Sequence, residues 1–528
     1  MKLFALLTTL LFHYGLAASV NANPSPCSDL KLGTFPDFKI LHVETSERQN
    51  YTPPGSQLTV DICNLSLSLQ HHGADDVVRV GIWFPLHDWN GRFMATGGSG
   101  ISAGDEINLV IPVAQGYAAG FTDAGLTLNG TIDSQTTEWF LRDDGTVNEV
   151  LLENFAHRSV HDLAVIGKAA VKEFYGKKPA YSYYSGCSQG GRQGYFAAEK
   201  HPKDFDGILA NAPAINGPQL SAAEFWPTVL MTNTIVPPQC VFRAYQDAIV
   251  EACDELDGAR DGLVSAPAKC HYDTSKLVSK KIKCTEADST VTITKEHAEL
   301  VAKILEGPVD PTGKVLWYGT PPGADFDGLA NTTTVNGTII PVPFPTAEGW
   351  FKYAIAQDPS LDTSKLSLSD FFHLFKKSVD RLTDSFGSDN PDLTAFKKAG
   401  GKLLSWHGMA DSLIMHDGTV LYWNKLCNKA SSQAELDSFY RLFLAPGAGH
   451  CYGGVGPNPT EPLSALVDWV EKGISPDTLF AETTMGGKSV SRNLCPYPSI
   501  LRYDGKGDVN SATSFTCSQS WLYRQHRY

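Results

Sequence analysis

Three stretches early in the chain, VVRVGIWFPL (77–86), GRFMATGG (91–98) and GYAAGFTD (116–123), are rich in β-branched and aromatic residues and bounded by turn formers. Apolar runs of this length predict strands. The segment from Asn154 to Tyr175 instead sets Leu163, Ile166, Ala170 and Phe174 at helical spacing and predicts an amphipathic helix. YSYYS (181–185) then leads through glycines into a second helical pattern reaching about Lys200. The alternation resumes with KLLSWHG (402–408), FYRLFLAPG (439–447) and the amphipathic PLSALVDWVEKG (462–473). Strand and helix in repeated succession predict an α/β fold, a parallel sheet with helices on both faces. Between Gly217 and about Gly400 the chain turns Pro-rich, Gly-rich and aromatic, as in LWYGTPPGADFDG and PVPFPTAEGWFKY. That break predicts a second domain inserted over 217–400.

Composition narrows the setting. A chain of 528 residues with 42% hydrophobic and 19% charged residues buries a large core. A formal charge of −14 without any Lys/Arg cluster excludes nucleic acid as a partner. The opening MKLFALLTTLLFHYGLAASVNA combines Lys2, an apolar run over 3–12 and small residues, the form of a secretory signal peptide cleaved after Ala18 or Ala22. The run is shorter than the roughly 18 residues a membrane span needs, so a secreted, extracellular protein without a membrane anchor is expected. Asn50, Asn64, Asn129, Asn331 and Asn336 begin glycosylation sequons. Eleven cysteines fit an oxidising compartment, and the odd count leaves at least one outside any intrachain bridge.

Gly186-Cys187-Ser188-Gln189-Gly190 has the spacing that places a nucleophilic serine on a strand-to-helix turn. A serine hydroxyl needs a base, and the base needs an acid to hold its tautomer. Asp411 in SWHGMADSLI and His450 in LFLAPGAGHCYGG follow predicted strands in hydrolase order. Each has an ordinary alternative: a glycine turn for Ser188, a packing role for one of fifteen histidines, and a capping role for Asp411 with Asp417 as its nearest rival. The agreement of three sites on three strand-to-loop junctions favours the triad. The oxyanion would be met by the N–H of Gln189 and by one from Gly97-Gly98, assigned to Gly98; the alternative for that pair is a plain strand-ending turn. CDELDGARDGL gathers Asp254, Asp257 and Asp261 within eight residues, and such oxygen density suits Ca²⁺ as well as an acidic turn. It is no EF-hand, because the twelfth loop position falls on Ser265. GGKSV (486–490) lacks the first glycine of a phosphate loop, which would stand at Glu482, and GGSGISAG lacks dinucleotide spacing. No organic cofactor is expected.

GCSQGGRQG, HPKDFDGILANAPA, SWHGMADSLI, PGAGHCYGG and CPYP with YDGKGD together resemble the fungal tannase and feruloyl esterase family, from the Cys27 region to Cys517. The resemblance implies an α/β-hydrolase catalytic domain (19–216 and 401–528, after a signal peptide at 1–18) and a large lid (217–400). It implies Ser188 as nucleophile, Asp411 as acid, His450 as base, and a disulfide between Cys187 and Cys451. It also implies a structural Ca²⁺ in the lid, held by the side chains of Asp254, Asp257 and Asp261 and the carbonyls of Ala259 and Leu263. Bridges Cys253–Cys270 and Cys495–Cys517 follow the family; Cys27–Cys63 and Cys240–Cys284 complete a set it does not dictate, leaving Cys427 over. The function so implied is a secreted serine carboxylesterase acting on small aromatic esters or feruloylated plant cell-wall polysaccharide. Gallate esters, an aromatic fungal metabolite (as esterase or lactonase) and non-catalytic binding of phenolics or glycans are the alternatives. A homodimer is neither required nor excluded.

Overall fold

Nine strands form one sheet in the computed structural model: β1 (Phe38–Tyr51), β2 (Val60–His71), β3 (Val78–Pro85), β4 (Arg92–Thr96), β5 (Ala118–Thr122), β6 (Tyr181–Cys187), β7 (Gly207–Asn211), β8 (Lys402–Gly408) and β9 (Tyr440–Ala445). Their spatial order is β1-β2-β3-β5-β4-β6-β7-β8-β9. The structure describes residues 24–127, 137–285 and 289–519, so the signal-type segment and Asn129 lie outside the described residues.

From β5 through β9 every pairing is parallel, whereas β1, β2, β3 and β5 pair antiparallel. The sheet is therefore mixed, a correction to the all-parallel expectation. The antiparallel wing was legible in β2, where buried Leu65, Leu67 and Leu69 alternate with less buried Ser66 and Ser68. β1 hides better, because this edge strand carries Lys39, Glu44, Glu47 and Arg48 among its apolar residues. Asn64 is buried within β2 opposite Trp83, which removes it as a glycan acceptor; Asn50, Asn331 and Asn336 are exposed.

Period-two alternation sends adjacent tyrosines of β6 to opposite faces. Tyr184 packs with Phe93, Ile208 and Leu403 under helix α1 (Ser159–Tyr175), which buries Leu163, Ile166, Ala170 and Phe174. Tyr183 packs with Met94, Leu209 and Leu404 on the other face, against Leu466 and Trp469 of helix Pro462–Lys472. Helical chain starts earlier than the sequence pattern predicts, at Glu149 under an Asn148 cap, and passes through a π-turn at Asn154–Arg158 before α1.

Strands β7 and β8 are parallel neighbours, with Gly207 opposite Lys402, yet almost two hundred residues separate them in sequence. The intervening chain is mainly helical, including Gly217–Ala223, Gln239–Cys253, Lys295–Glu306 and Leu368–Phe386. Its core of Trp226, Trp350, Phe351 and Phe371 is continuous with Trp139, Phe140 and Phe155 from the chain between β5 and α1. Among the described residues no helix is long and apolar enough to cross a membrane.

Candidate active site

β6 ends at Cys187 and helix α2 (Gln189–Lys200) begins at once, leaving Ser188 between them at φ 64°, ψ −124°. A serine held at positive φ is strained, and the surroundings fix it there. Its N–H donates to the Asn211 carbonyl (3.0 Å), and its own carbonyl accepts from Arg192 N (3.0 Å) and Ala214 N (3.1 Å). The flanking glycines allow backbone to meet backbone: a Cβ on Gly186 would lie 2.6 Å from the Gly190 carbonyl carbon, and one on Gly190 2.9 Å from the Gly98 oxygen. Gln189 opens α2, so by position its N–H has no intrahelical acceptor.

Gly98, expected as the second oxyanion donor, has its N–H engaged. Gly97 N–H donates to Ser185 O (3.0 Å), and Gly98 N–H is taken by the side-chain oxygen of Gln193 (3.1 Å). Gln193 also donates to Ala103 O (3.0 Å), so it clamps the glycine loop onto α2. Arg192 was missed as well. Fully buried, it donates to Gln189 Oε1 (2.7 Å) and to the carbonyls of Phe155 and Ala156, and its guanidinium lies 4.0 Å over Phe386. Burial pulls its pKa down to about 9. Both residues stand in the quoted GGRQG, but a sequence gives no sign that their side chains turn inward.

Asp411 and His450 lie in the loops that follow β8 and β9. Asp411 is fully buried; its Oδ1 accepts from Leu413 N (3.0 Å) and Ile414 N (2.9 Å), and its Oδ2 lies 2.8 Å from His450 Nδ1. His407 Nε2 approaches the same Oδ2 at 3.1 Å. Burial pushes the Asp411 carboxyl upward, but the charge of His450 and the hydrogen bonds from His407 and His450 outweigh it and hold the group well below the usual carboxylate range. With Nδ1 engaged, His450 keeps Nε2 for proton transfer. The rival Asp417 sits in the first turn of helix His416–Lys429, 3.9 Å from His416.

A disulfide joins Cys187 to Cys451 with Cα atoms 6.0 Å apart, so the residues next to Ser188 and His450 are covalently tied. Four more bridges pair Cys27–Cys63, Cys240–Cys284, Cys253–Cys270 and Cys495–Cys517; Cys427 is in none. From the insertion, Glu224 enters the electrostatic reach of Asp411. Burial first, and then the Asp411 charge, push its carboxyl up to about 8, so it carries a proton at neutral pH.

Asp254, Asp257 and Asp261 are all buried where the insertion meets the C-terminal strands. Asp254 Oδ1 accepts from Asp261 N and Gly262 N, Asp257 Oδ1 from Ala259 N, and Asp261 Oδ1 from Leu263 N. Asp257 Oδ2 is buried with no hydrogen bond, and Asp261 Oδ2 accepts from the buried Arg492 of strand Lys488–Leu494. Among the described residues nothing donates to the carbonyls of Ala259 or Leu263. Burial raises Asp257 and takes Asp261 up to about 6 against the pull of Arg492. A second group, His161, His201 and Asp204, is different in kind. The two imidazoles stack at 4.1 Å and 13°, so their in-plane lone pairs run side by side and do not converge on one ion.

Known proteins share this arrangement of strands and loops. The family model described as tannase and feruloyl esterase matches residues 69–518. A probable feruloyl esterase from Arthroderma benhamiae is 43% identical over 524 residues, covering 96% of each chain. The tannin acyl hydrolase from Aspergillus niger superposes with a TM-score of 0.84 at 26% identity over 94% of each chain. Feruloyl esterase B from Aspergillus oryzae does so with a TM-score of 0.78 at 25% identity, over 92% of this chain and 97% of its own. By sequence over most of its length and by fold, the chain belongs to the tannase and feruloyl esterase family, an α/β family of carboxylic ester hydrolases.

Proposed function

We propose that this carboxylic ester hydrolase is a secreted serine esterase that cleaves hydroxycinnamoyl esters, feruloyl esters of plant cell-wall polysaccharide foremost, through Ser188, His450 and Asp411. His450 Nε2 takes the Ser188 proton as the hydroxyl oxygen bonds to the ester carbonyl carbon. The tetrahedral oxyanion is met by the Gln189 N–H, a donor of the kind worth about 3 kcal/mol of barrier. Collapse expels the alcohol, which takes the proton from His450 and leaves an acyl-Ser188; water then repeats the cycle and releases the aromatic acid. Asp411, kept anionic, holds His450 with Nδ1–H toward it and Nε2 toward the serine.

The observation that carries this reading is the strained Ser188 turn bridged by Cys187–Cys451 to the loop of His450, whose Nδ1 meets a fully buried Asp411. The relative named a probable feruloyl esterase supports the hydroxycinnamoyl substrate, and the tannin acyl hydrolase fold makes gallate esters the second reading. Five disulfides and three exposed sequons suit secretion. Hydrolysis of methyl ferulate, caffeate, p-coumarate, sinapate and gallate by wild type and Ser188→Ala is the test. Ferulate turnover abolished by the substitution is the expected result; turnover that survives it overturns the site, and preference for gallate selects the second reading.

Ca²⁺ fits the Asp254–Leu263 loop. The unpartnered Asp257 oxygen, the raised carboxyls and the free carbonyls of Ala259 and Leu263 form an oxygen set that the one guanidinium of Arg492 does not neutralise. Asp254, Asp257 and Asp261 would hold the ion together with those two carbonyls, and the ion would supply charge neutralisation only. Because Arg492 joins Asp261 from the C-terminal strands, its role would be to fasten the insertion to the sheet domain.

A further inference from the structure

We propose that His407 is a positioning residue for the triad acid, a reading that rests on the assignment of Asp411 and His450 above. His407 lies next to last in β8, and its side chain is fully buried, as are those of Asp411 and Thr419. Three neighbours determine its protonation pattern. Nε2 lies 2.9 Å from the Ile414 carbonyl and 3.1 Å from Asp411 Oδ2, and neither oxygen has a proton to give. Nε2 must therefore carry the hydrogen. Nδ1 lies 2.9 Å from Thr419 Oγ1, whose hydroxyl donates to it when the ring is neutral. The other tautomer would press a lone pair against two acceptors in a dry interior, at a cost of several hydrogen bonds.

The consequence falls on Asp411. One oxygen is fixed by the N–H groups of Leu413 and Ile414, and the other receives both His450 and His407. Four donors leave the carboxylate no freedom to turn. Two influences oppose its charge: burial, and Glu224, which approaches from the insertion. The titratable groups facing Asp411 are thus His450 and His407 from the sheet edge and Glu224 from the insertion, with the His416 ring 6.4 Å beyond His407. His407 offsets the burial penalty with an N–H that reaches the anion directly, and by sharing Oδ2 it tempers the pull of Asp411 on His450. Fully buried, with its ring nitrogens spent on Thr419, Ile414 and Asp411, it acts through Asp411.

Removing that donor leaves Asp411 a stronger partner for the His450 cation, so the acid limb of kcat/KM moves to higher pH. The test compares wild type, His407→Leu, His407→Gln and Ser188→Ala on methyl ferulate across the acid limb, with folded sites counted by fluorophosphonate titration and Tm measured alongside. For His407→Leu, kcat per titrated site should fall roughly 10- to 100-fold with KM within about twofold, and the acid limb should rise by about half a unit or more. His407→Gln, whose amide N–H can occupy the place of Nε2–H, should restore most of kcat and return the limb toward the wild-type position. An unmoved limb with full kcat per site in His407→Leu overturns the proposal, as does a Gln variant no better than Leu. Should His407→Leu fail to fold, Thr419→Val decides: a smaller shift of the limb in the same direction supports the assignment, and an unchanged profile refutes it. Ser188→Ala separates the two readings. If it is inactive while His407→Leu equals wild type, only His407 loses its role; if it is active, the triad falls and His407 with it.

Discussion

Two clusters of buried carboxylates in this molecule meet opposite fates. Asp411, wholly removed from solvent, is held well below the ordinary range, whereas Asp257 and Asp261, slightly more accessible, are raised. Burial pushes all three upward, so it cannot explain the difference. Donors can. Asp411 receives two backbone N–H groups and two imidazoles, while Asp257 has an oxygen with no donor at all, and Asp261 shares its neighbourhood with other carboxylates against a single Arg492. The active-site loop supplies its own compensation for the buried charge. The acidic loop of the insertion is built as though compensation arrives from outside, which is the physical argument for a cation there.

Substitutions should expose that difference, most strongly at the triad. Asp411→Asn keeps the volume but cannot hold His450 in the working tautomer, and turnover of methyl ferulate per folded molecule should drop on the order of 10⁴-fold. The covalent tie comes next. Cys187→Ala with Cys451→Ala opens a link spanning 264 residues, for which chain entropy predicts a loss of up to about 5 kcal/mol. Denaturant unfolding should show it, and turnover per folded molecule should fall as well; full turnover would mean that packing alone aligns Ser188 and His450.

The acidic loop should respond with a reversal of sign. Asp261 has its pKa raised from 3.8 to about 6, so the metal-free native state binds more protons than the unfolded chain across that interval. Stability without metal should therefore decline as pH rises through this window, and added Ca²⁺ should recover it most above it. Asp257→Asn should raise the Tm of chelated protein at neutral pH, yet remove most of the calcium-dependent gain. An identical calcium response in Asp257→Asn, or no metal in the purified protein by elemental analysis, would count against the site. Glu224 is read through stability alone. Its carboxyl, ordinarily at 4.5, stays protonated in the native state up to about 8, so it costs stability progressively as pH rises between the two. Glu224→Gln should flatten that decline, leaving the variant ahead of wild type by about 1–2 kcal/mol at the alkaline end.

Legibility differed between the two regions for a physical reason. Every strand that leads to a proposed triad residue was visible, because a strand buried on both faces must be almost free of charge: YSYYS has none, and KLLSWHG and FYRLFLAPG carry it only near their starts, at Lys402 and Arg441. The insertion was legible as a second domain by its prolines and glycines, but its helices were not. Helix Leu368–Phe386 announces itself only through a Ser367–Asp370 capping box and an apolar stripe set among many charges. The wing strand β1 escaped notice because half of it faces water.

By itself the sequence determined the Gly-x-Ser-x-Gly turn, the candidate serine, acid and base, the acidic loop and the family likeness, since each is read from a short run of residues. Tertiary structure alone decided how those residues are held. It put Gln193 on the Gly98 amide, Arg192 under Gln189, His407 beside Asp411 and Glu224 opposite it, from positions up to about two hundred residues apart. Hydrogen-bond partners and the charge state of a buried group depend on which donors and how much water surround it. Those are properties of the packed neighbourhood, and no local pattern of residues encodes them.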